Sequence, residues 1–296
     1  MGILVDKNTS VLIQGITGRE ASMVAGHMQD YGTDITAGVT PGKGGEEVAG
    51  VPVFDTVKEA SKDNEVDVSL IYVPPAFVLD AVRETLASGI KKMVIVTENI
   101  PQQDVVKILH LADEADARII GPNTVGLINP AAGVKLGAIG GDNPDRCFVP
   151  GSVGVISRSG GMTAETSWMI KRAGRGVSTS VGIGGDPMIG SPPKDLLKLF
   201  EQDEDTEAVV MFSEPGTHFE RDVAGFLEDG GFTKPLIVYV AGKFTEEMPK
   251  GTVFGHAGAI IEDESNKPSH KMERLKEAGA SIAHDYDEIL DYVSEL

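Results

Sequence analysis

Residues 10–20 read SVLIQGITGRE, and residues 153–165 read VGVISRSGGMTAE. In each, a short β-rich apolar run breaks at a glycine-containing turn and passes into a helical pattern. Strand, tight turn and helix start, in that order, bring unpaired backbone N–H groups and the positive end of a helix dipole to one point, which suits an anion. The two stretches fall in opposite halves of the chain, and each opens an alternating series. In the first half, Ser10–Gln14, Asp34–Val39, Val68–Val73, Met93–Thr97 and Arg118–Ile120 read as strands, with amphipathic stretches such as Ala76–Ala87 and Gln102–Glu114 between them. In the second half the strands are Val153–Ile156, Val177–Gly182, Ala208–Phe212, Leu236–Val240 and Ser281–Ala283. Helices are expected there at Thr163–Ala173, Pro193–Gln202, Phe219–Leu227, Pro268–Ala278 and Tyr286–Leu296. Strands alternating with helices give βαβ units and a parallel sheet, so the fold class is α/β.

Length agrees with two such units, because 296 residues at roughly 150 per domain is about two domains. The pattern lapses over Gly121–Pro150, which is rich in Gly, Pro and Asn. The expected division is 1–127, an irregular linker at 128–150, and 151–296. Apolar residues at 41% and charged residues at 24% exclude disorder along the whole chain. Cys147 is the single cysteine, which excludes an intrachain disulfide and a cysteine-built zinc or iron–sulfur site and suits a reducing, cytoplasmic setting. The first residues lack the features of a signal peptide, and no apolar run approaches the roughly 18 residues of a membrane span. Lys and Arg number 26 against 45 Asp and Glu, a net charge of −19. That balance opposes binding to nucleic acid or an anionic membrane. An anionic ligand must therefore be held locally.

The first turn is spaced Gly15-x-x-Gly18, not G-x-G-x-x-G. The second strand ends in Val39–Thr40, without the acid that would hold a ribose diol. NAD is disfavoured, while a nucleotide-like ligand such as coenzyme A, or a ligand-free turn, stays open. Lys43 stands among glycines in TPGKGG, either pairing with a phosphate as a point charge or simply exposed. In the second turn, Ser157, Ser159, Gly160 and Gly161 cluster where a helix is expected to start near Met162, which makes a phosphate cradle. The sequence R-S-G-G is not a nucleophile elbow, so a serine hydrolase is disfavoured. None of the six histidines has metal-binding spacing, and no metal site is expected in this chain. His256, between Gly255 and Gly258 in VFGHAGAII, differs from the others in having small loop neighbours. Spacing alone leaves both a structural and a nucleophilic histidine open.

The stretches ILVDKNTSVLIQGITG, GVTPGKGG, VTENIP, GPNTVG, SRSGGMTAE, VGIGGDPMIG and GHAGAII span nearly the whole chain. In this order they resemble the α subunits of succinyl-CoA synthetases, within the ADP- or GDP-forming acyl-CoA synthetases, known from the tricarboxylic acid cycle. The resemblance implies a Rossmann-like CoA-binding domain followed by a flavodoxin-like CoA-ligase domain. It further implies an ATP-grasp β subunit as partner, in an αβ or (αβ)₂ assembly, holding ATP or GTP and Mg²⁺. His256 would carry a phosphoryl group, Glu214 would orient its ring, and a small carboxylate would become an acyl phosphate that the thiol of coenzyme A attacks. Coenzyme A would meet Thr17, Gly18, Arg19, Glu20, Lys43, Val96, Thr97 and Glu98. The chain departs from the family pattern at Ser213-Glu214-Pro215-Gly216-Thr217, at Thr124 and Val125, and at Ala164, which replaces a tyrosine on the substrate side. The last change is expected to enlarge the acid pocket. Similarity to the citryl-CoA-forming part of ATP-citrate lyase keeps malate, citrate or another carboxylate open beside succinate. A CoA-binding regulatory protein without catalysis is the alternative of another class.

Overall fold

The computed structural model of the chain describes residues 2–249, 252, 255–256, 258–261 and 263–296. Among them the strands form two seven-stranded sheets. The first sheet holds β1 (Ser10–Gln14), β2 (Asp34–Val39), β3 (Glu47–Val48), β4 (Val51–Phe54), β5 (Val68–Ile71), β6 (Lys92–Ile95) and β7 (Arg118–Ile120). Helices α1 (Arg19–Tyr31), α2 (Val57–Asp63), α3 (Val78–Ala87) and α4 (Gln102–Glu114) connect them. The order is β3-β4-β2-β1-β5-β6-β7, parallel except for β3. Its six parallel strands therefore run 3-2-1-4-5-6, with the order reversing between β1 and β5. Ligands of such sheets bind outside the carboxyl ends of the strands at that reversal. Every residue of β1 and of β5 is buried, as an apolar run covered on both faces requires.

The second sheet holds β8 (Leu127–Asn129), β9 (Val134–Leu136), β10 (Pro150–Ser157), β11 (Val177–Gly182), β12 (Ala208–Ser213), β13 (Leu236–Val240) and β14 (Ser281–Ala283). Its helices are α5 (Gly160–Arg172), α6 (Pro193–Gln202), α7 (Phe219–Glu228), α8 (Pro268–Glu277) and α9 (Glu288–Ser294). The order is β14-β13-β12-β10-β11-β8-β9. The five parallel strands run 2-1-3-4-5, the flavodoxin-like order, and reverse between β10 and β12. β11 is polar in sequence yet wholly buried. Its hydroxyls find partners: Ser180 lies 2.8 Å from Ser167 Oγ and Ser178 2.6 Å from Thr206 Oγ1.

The segment expected to be an irregular linker needs correction. β8 and β9 form an antiparallel hairpin that joins the second sheet alongside β11. Each strand is three residues long, too short to show an alternating pattern among the surrounding glycines and prolines. Lys135 disguises the hairpin further. It is fully buried, with its ammonium donating to Gly141 O at 2.5 Å, and burial lowers its pKa to about 8. Thr33, just after α1, exchanges hydrogen bonds with the Lys135 backbone, which ties the hairpin to the first domain. A single apolar cluster takes residues from both halves, from Val11 and Ile13 to Val181 and Leu196. Among the described residues, no helix is long and apolar enough to cross a membrane.

Candidate functional site

The carboxyl ends of both sheets open into one cleft of about 710 Å³. From the first domain it takes Glu20, residues 72–75 after β5 and residues 96–99 after β6. Residues 123–125, between the domains, line its floor, and Arg158, Ser159, Gly160, Gly161 and His256 come from the second domain. The two reversal points of strand order thus face the same space.

At the second-domain end, β10 leaves the sheet at Ser157 and α5 begins at Gly160. Ser159 is the N-cap, its Oγ accepting from Met162 N at 3.4 Å, so the helix starts two residues earlier than the sequence pattern indicated. Ser157 Oγ accepts from Ser159 N at 3.2 Å and donates to Ser159 O at 2.8 Å. It shapes the turn rather than facing the cleft. Among the described residues, the N–H groups of Gly160 and Gly161 have no protein acceptor. A side chain at Gly160 would collide with Val125, so glycine is what lets the helix end approach the floor.

Across the reversal, β12 ends at Ser213 and delivers Glu214. His256 Nδ1 lies 2.7 Å from Glu214 Oε2. An ionised carboxylate only accepts, so beside it Nδ1 carries the proton, and in the neutral ring Nε2 keeps its lone pair. The Glu214 hydrogen bond raises the His256 pKa, against opposition from partial burial and from the Arg158 charge. Gly185, just beyond β11, packs under the imidazole so closely that any side chain there would meet the ring.

Arg158 escaped the sequence reading, which weighed the hydroxyls and glycines of SRSGG. It is 2% exposed, and its Nη2 donates to Gly185 O at 3.0 Å and Asp186 O at 3.2 Å. Nη1 reaches Thr217 Oγ1 at 3.3 Å, while Nε has no partner among the described residues. Burial lowers its pKa, and Glu214, Glu220 and Asp186 counter that shift. A single arginine in a run of small residues was the available signal. Asn123 also joins the site, bridging to Asp186 Oδ1 at 2.9 Å.

The other expected site residues divide into two groups. Glu20, Val96, Thr97, Glu98 and Thr124 line the cleft. Thr97 Oγ1 ties to Val73 O at 2.7 Å, and Thr124 Oγ1 donates to Gly182 O. Thr17, Gly18, Arg19 and Lys43 lie outside the lining. Gly18 caps α1 without a side-chain bond, and Thr17 Oγ1 lies 3.1 Å from Thr40 Oγ1, the residue standing where a ribose-binding acid would be. Lys43 is exposed and pairs with Glu46 at 2.9 Å. Met162 and Ala164 are not in the lining either. Ala164 is half-buried and packs against the second-domain core. A helical side chain leans back over the preceding turn; a long residue at 164 would reach toward Gly160 and Gly161, and alanine does not. Among the described residues, no group of three or more His, Cys, Asp or Glu could hold a metal ion.

The first domain matches the CoA binding domain family over residues 6–99, and the second matches the CoA-ligase family over residues 156–281. Subunit alpha 1 of the ADP-forming succinate–CoA ligase of Archaeoglobus fulgidus is 44% identical, with 100% of this chain and 97% of that one covered. The chain belongs to the α-subunit family of ADP-forming CoA ligases. The family is not confined to one acid: the malate–CoA ligase subunit alpha of Methylorubrum extorquens is 42% identical over 96% of this chain and 95% of its own. Among solved structures, ATP citrate lyase from Methanothrix soehngenii, in complex with citrate and coenzyme A, superposes with a TM-score of 0.92 at 26% identity. The match covers 99% of this chain and 50% of that one, so the chain spans about half of the lyase polypeptide. Membership makes coenzyme A a ligand of the first domain.

Proposed function

We propose that this chain is the α subunit of a nucleotide-dependent ligase that joins succinate to coenzyme A through a phosphohistidine at His256. The observation that carries the reading is the 2.7 Å His256–Glu214 pair, set in the same cleft as the free N-terminus of α5. A binding module has no use for an oriented imidazole. In this reading a β subunit of ATP-grasp fold holds ATP or GTP with Mg²⁺ and presents the γ-phosphoryl group.

His256 Nε2 attacks the γ-phosphorus, the bond to the nucleoside diphosphate breaks, and Glu214 holds the Nδ1 proton as the ring becomes cationic. The N–H groups of Gly160 and Gly161, with the α5 dipole, offset the charge on the transferred oxygens. Succinate oxygen then takes the phosphoryl group, freeing Nε2. The thiol of coenzyme A supplies the nucleophile that forms the thioester and releases inorganic phosphate. For coenzyme A, Glu20, Val96, Thr97 and Glu98 flank the cleft, Thr17, Gly18 and Arg19 form the uncapped start of α1, and Lys43 stands on the loop after β2. That helix start leaves room at its tight turn: Gly15 has φ +82°, and a Cβ there would press on the Tyr72 backbone.

Relatives named for malate and citrate favour a second substrate reading within the same chemistry. The test is kcat/KM for succinate, malate, citrate and short monocarboxylates with the assembled α and β subunits. Succinate should lead; a lead by malate or citrate assigns the enzyme to that acid, and turnover of none refutes the ligase reading.

A further inference from the structure

Two buried charges stand behind Glu214, outside the cleft. Lys271 on α8 is 3% exposed and Glu220 on α7 is 2% exposed, and Lys271 Nζ sits 2.7 Å from Glu220 Oε2. At that distance one ammonium proton serves the carboxylate in a charge-assisted pair. The other two donors of Lys271 are directed elsewhere. Nζ donates to Glu214 O at 2.8 Å and to Gly216 O, gripping the chain on both sides of Pro215. Glu220 Oε1 accepts from Ser213 Oγ, which fixes the residue before Glu214. The serine at 213 and the proline at 215, two of the departures from the family pattern, both lie in this grip.

The gripped loop has further anchors in Gly216 N, which donates to Asn266 O at 3.2 Å, and Thr217 Oγ1, which accepts from Arg158 at 3.3 Å. Gly216 and Thr217 have φ of 75° and 52°, both left-handed, and threonine adopts that region at a cost. It is nevertheless the platform under the histidine loop. A Cβ at Gly216 would collide with Gly258 O and would lie 2.7 Å from Ile260 N. A buried ion pair is weak evidence for stability, because well-packed apolar residues often serve as well or better. The pair is placed where it fixes one backbone segment, and that segment carries the carboxylate that meets His256.

We propose that Lys271 and Glu220 are positioning residues for the phosphoryl-carrying histidine, pinning the Ser213–Gly216 main chain so that the Glu214 carboxylate meets His256 Nδ1. The proposal rests on His256 being the phosphoryl carrier, and its test separates the two ideas. Lys271→Met alone leaves Glu220 buried without a cation and can unfold the domain. The deciding variant is therefore Lys271→Met combined with Glu220→Gln, which removes both charges. Three readouts are taken on the full chain, with its β partner where turnover is needed. The first is the hydrogen-bonded Nδ1 proton of ¹⁵N-labelled His256, assigned by its loss in His256→Asn. The second is the rate and pH profile of His256 phosphorylation by ATP. The third is the Kd for coenzyme A. The double variant should lose the Nδ1 resonance to exchange and move the pH limb of phosphorylation downward. Its rate should fall about 100-fold, the effect expected of a misplacement of about 1 Å, with Kd for coenzyme A within about twofold of wild type. A folded double variant that keeps the Nδ1 resonance, the pH limb and the rate overturns the proposal. Failure of that variant to fold overturns it too, because the pair is then holding the domain together. If wild-type His256 takes no phosphate, the carrier reading falls, while the Nδ1 resonance still reports whether the pair positions Glu214.

Discussion

Replacing Gly185 by alanine puts a methyl group under the His256 imidazole. The new carbon would lie 2.5 Å from His256 Cδ2, 2.6 Å from Cγ and 3.0 Å from Nε2, where ordinary contact begins at 3.4 Å. The ring must retreat by about 1 Å, and a shift of that size at a reacting centre costs about 100-fold in rate. In activation free energy that is about 2.7 kcal/mol. The 2.7 Å bond to Glu214 has no slack to absorb the move without lengthening or losing alignment. Stability should change little. Gly185 is outside the left-handed region and accepts a Cβ in its backbone conformation, and the ring side chain is 31% exposed, so it has somewhere to go. Restricting the unfolded chain returns about 0.4–1 kcal/mol against the crowding. The assay is rapid-quench phosphorylation of His256 by ATP in the assembled enzyme, with calorimetry for coenzyme A and a thermal melt as controls. A Gly185→Ala enzyme that folds, binds coenzyme A and is phosphorylated at the wild-type rate would refute the packing argument.

Other expected outcomes test separate parts of the site. The raised His256 pKa puts the neutral, nucleophilic ring above the ordinary histidine value of about 6.5, so phosphorylation should rise with pH through that higher value. Glu214→Gln should move this limb to lower pH and reduce the plateau rate; an unmoved limb would dissociate Glu214 from the ring's proton. The same shift has a stability consequence: the pair's contribution is fully present below about pH 6.5 and is lost as pH rises through the folded value. Thermal melts against pH should show that slope in the wild type and a flatter one in Glu214→Gln. Lys43→Glu should weaken coenzyme A binding severalfold, by less at high salt. A salt-independent or absent effect in calorimetry would leave Lys43 as a surface residue paired with Glu46.

The strand–turn–helix units were legible because each is local: Gly15, Gly18, Gly160 and Gly161 announce the turns, and the apolar runs before them announce buried strands. The pairing of those units was not. Strand order puts Ser159 across the reversal from Glu214, and the 42-residue separation of Glu214 and His256 has no local signature. Resemblance supplied both residues where periodicity left His256 ambiguous. β8 and β9 escaped because three-residue strands carry too little pattern, and Lys135 reads as surface although its stem fills the interior. Lys271 and Glu220 had a usable signal. Lys271 precedes Met272 and stands four residues before Leu275, and Glu220 stands three and four before Val223 and Ala224, so both sit on the buried faces of amphipathic helices. A charge on such a face either marks a misread helix or has a partner. Here the partner comes from the other helix, which sequence spacing could not show.

The central claim is that His256 carries the phosphoryl group. Its most direct test is to incubate the chain with its β subunit, Mg²⁺ and γ-labelled ATP, quench, and locate the label by mass spectrometry and by its stability to acid and base. The account predicts an acid-labile, base-stable phosphate on His256 that chases into solution when succinate and coenzyme A are added. It also predicts that His256→Ala loses both the label and thioester formation. Full ligase activity in His256→Ala, or an acid-stable label on another residue, would contradict it.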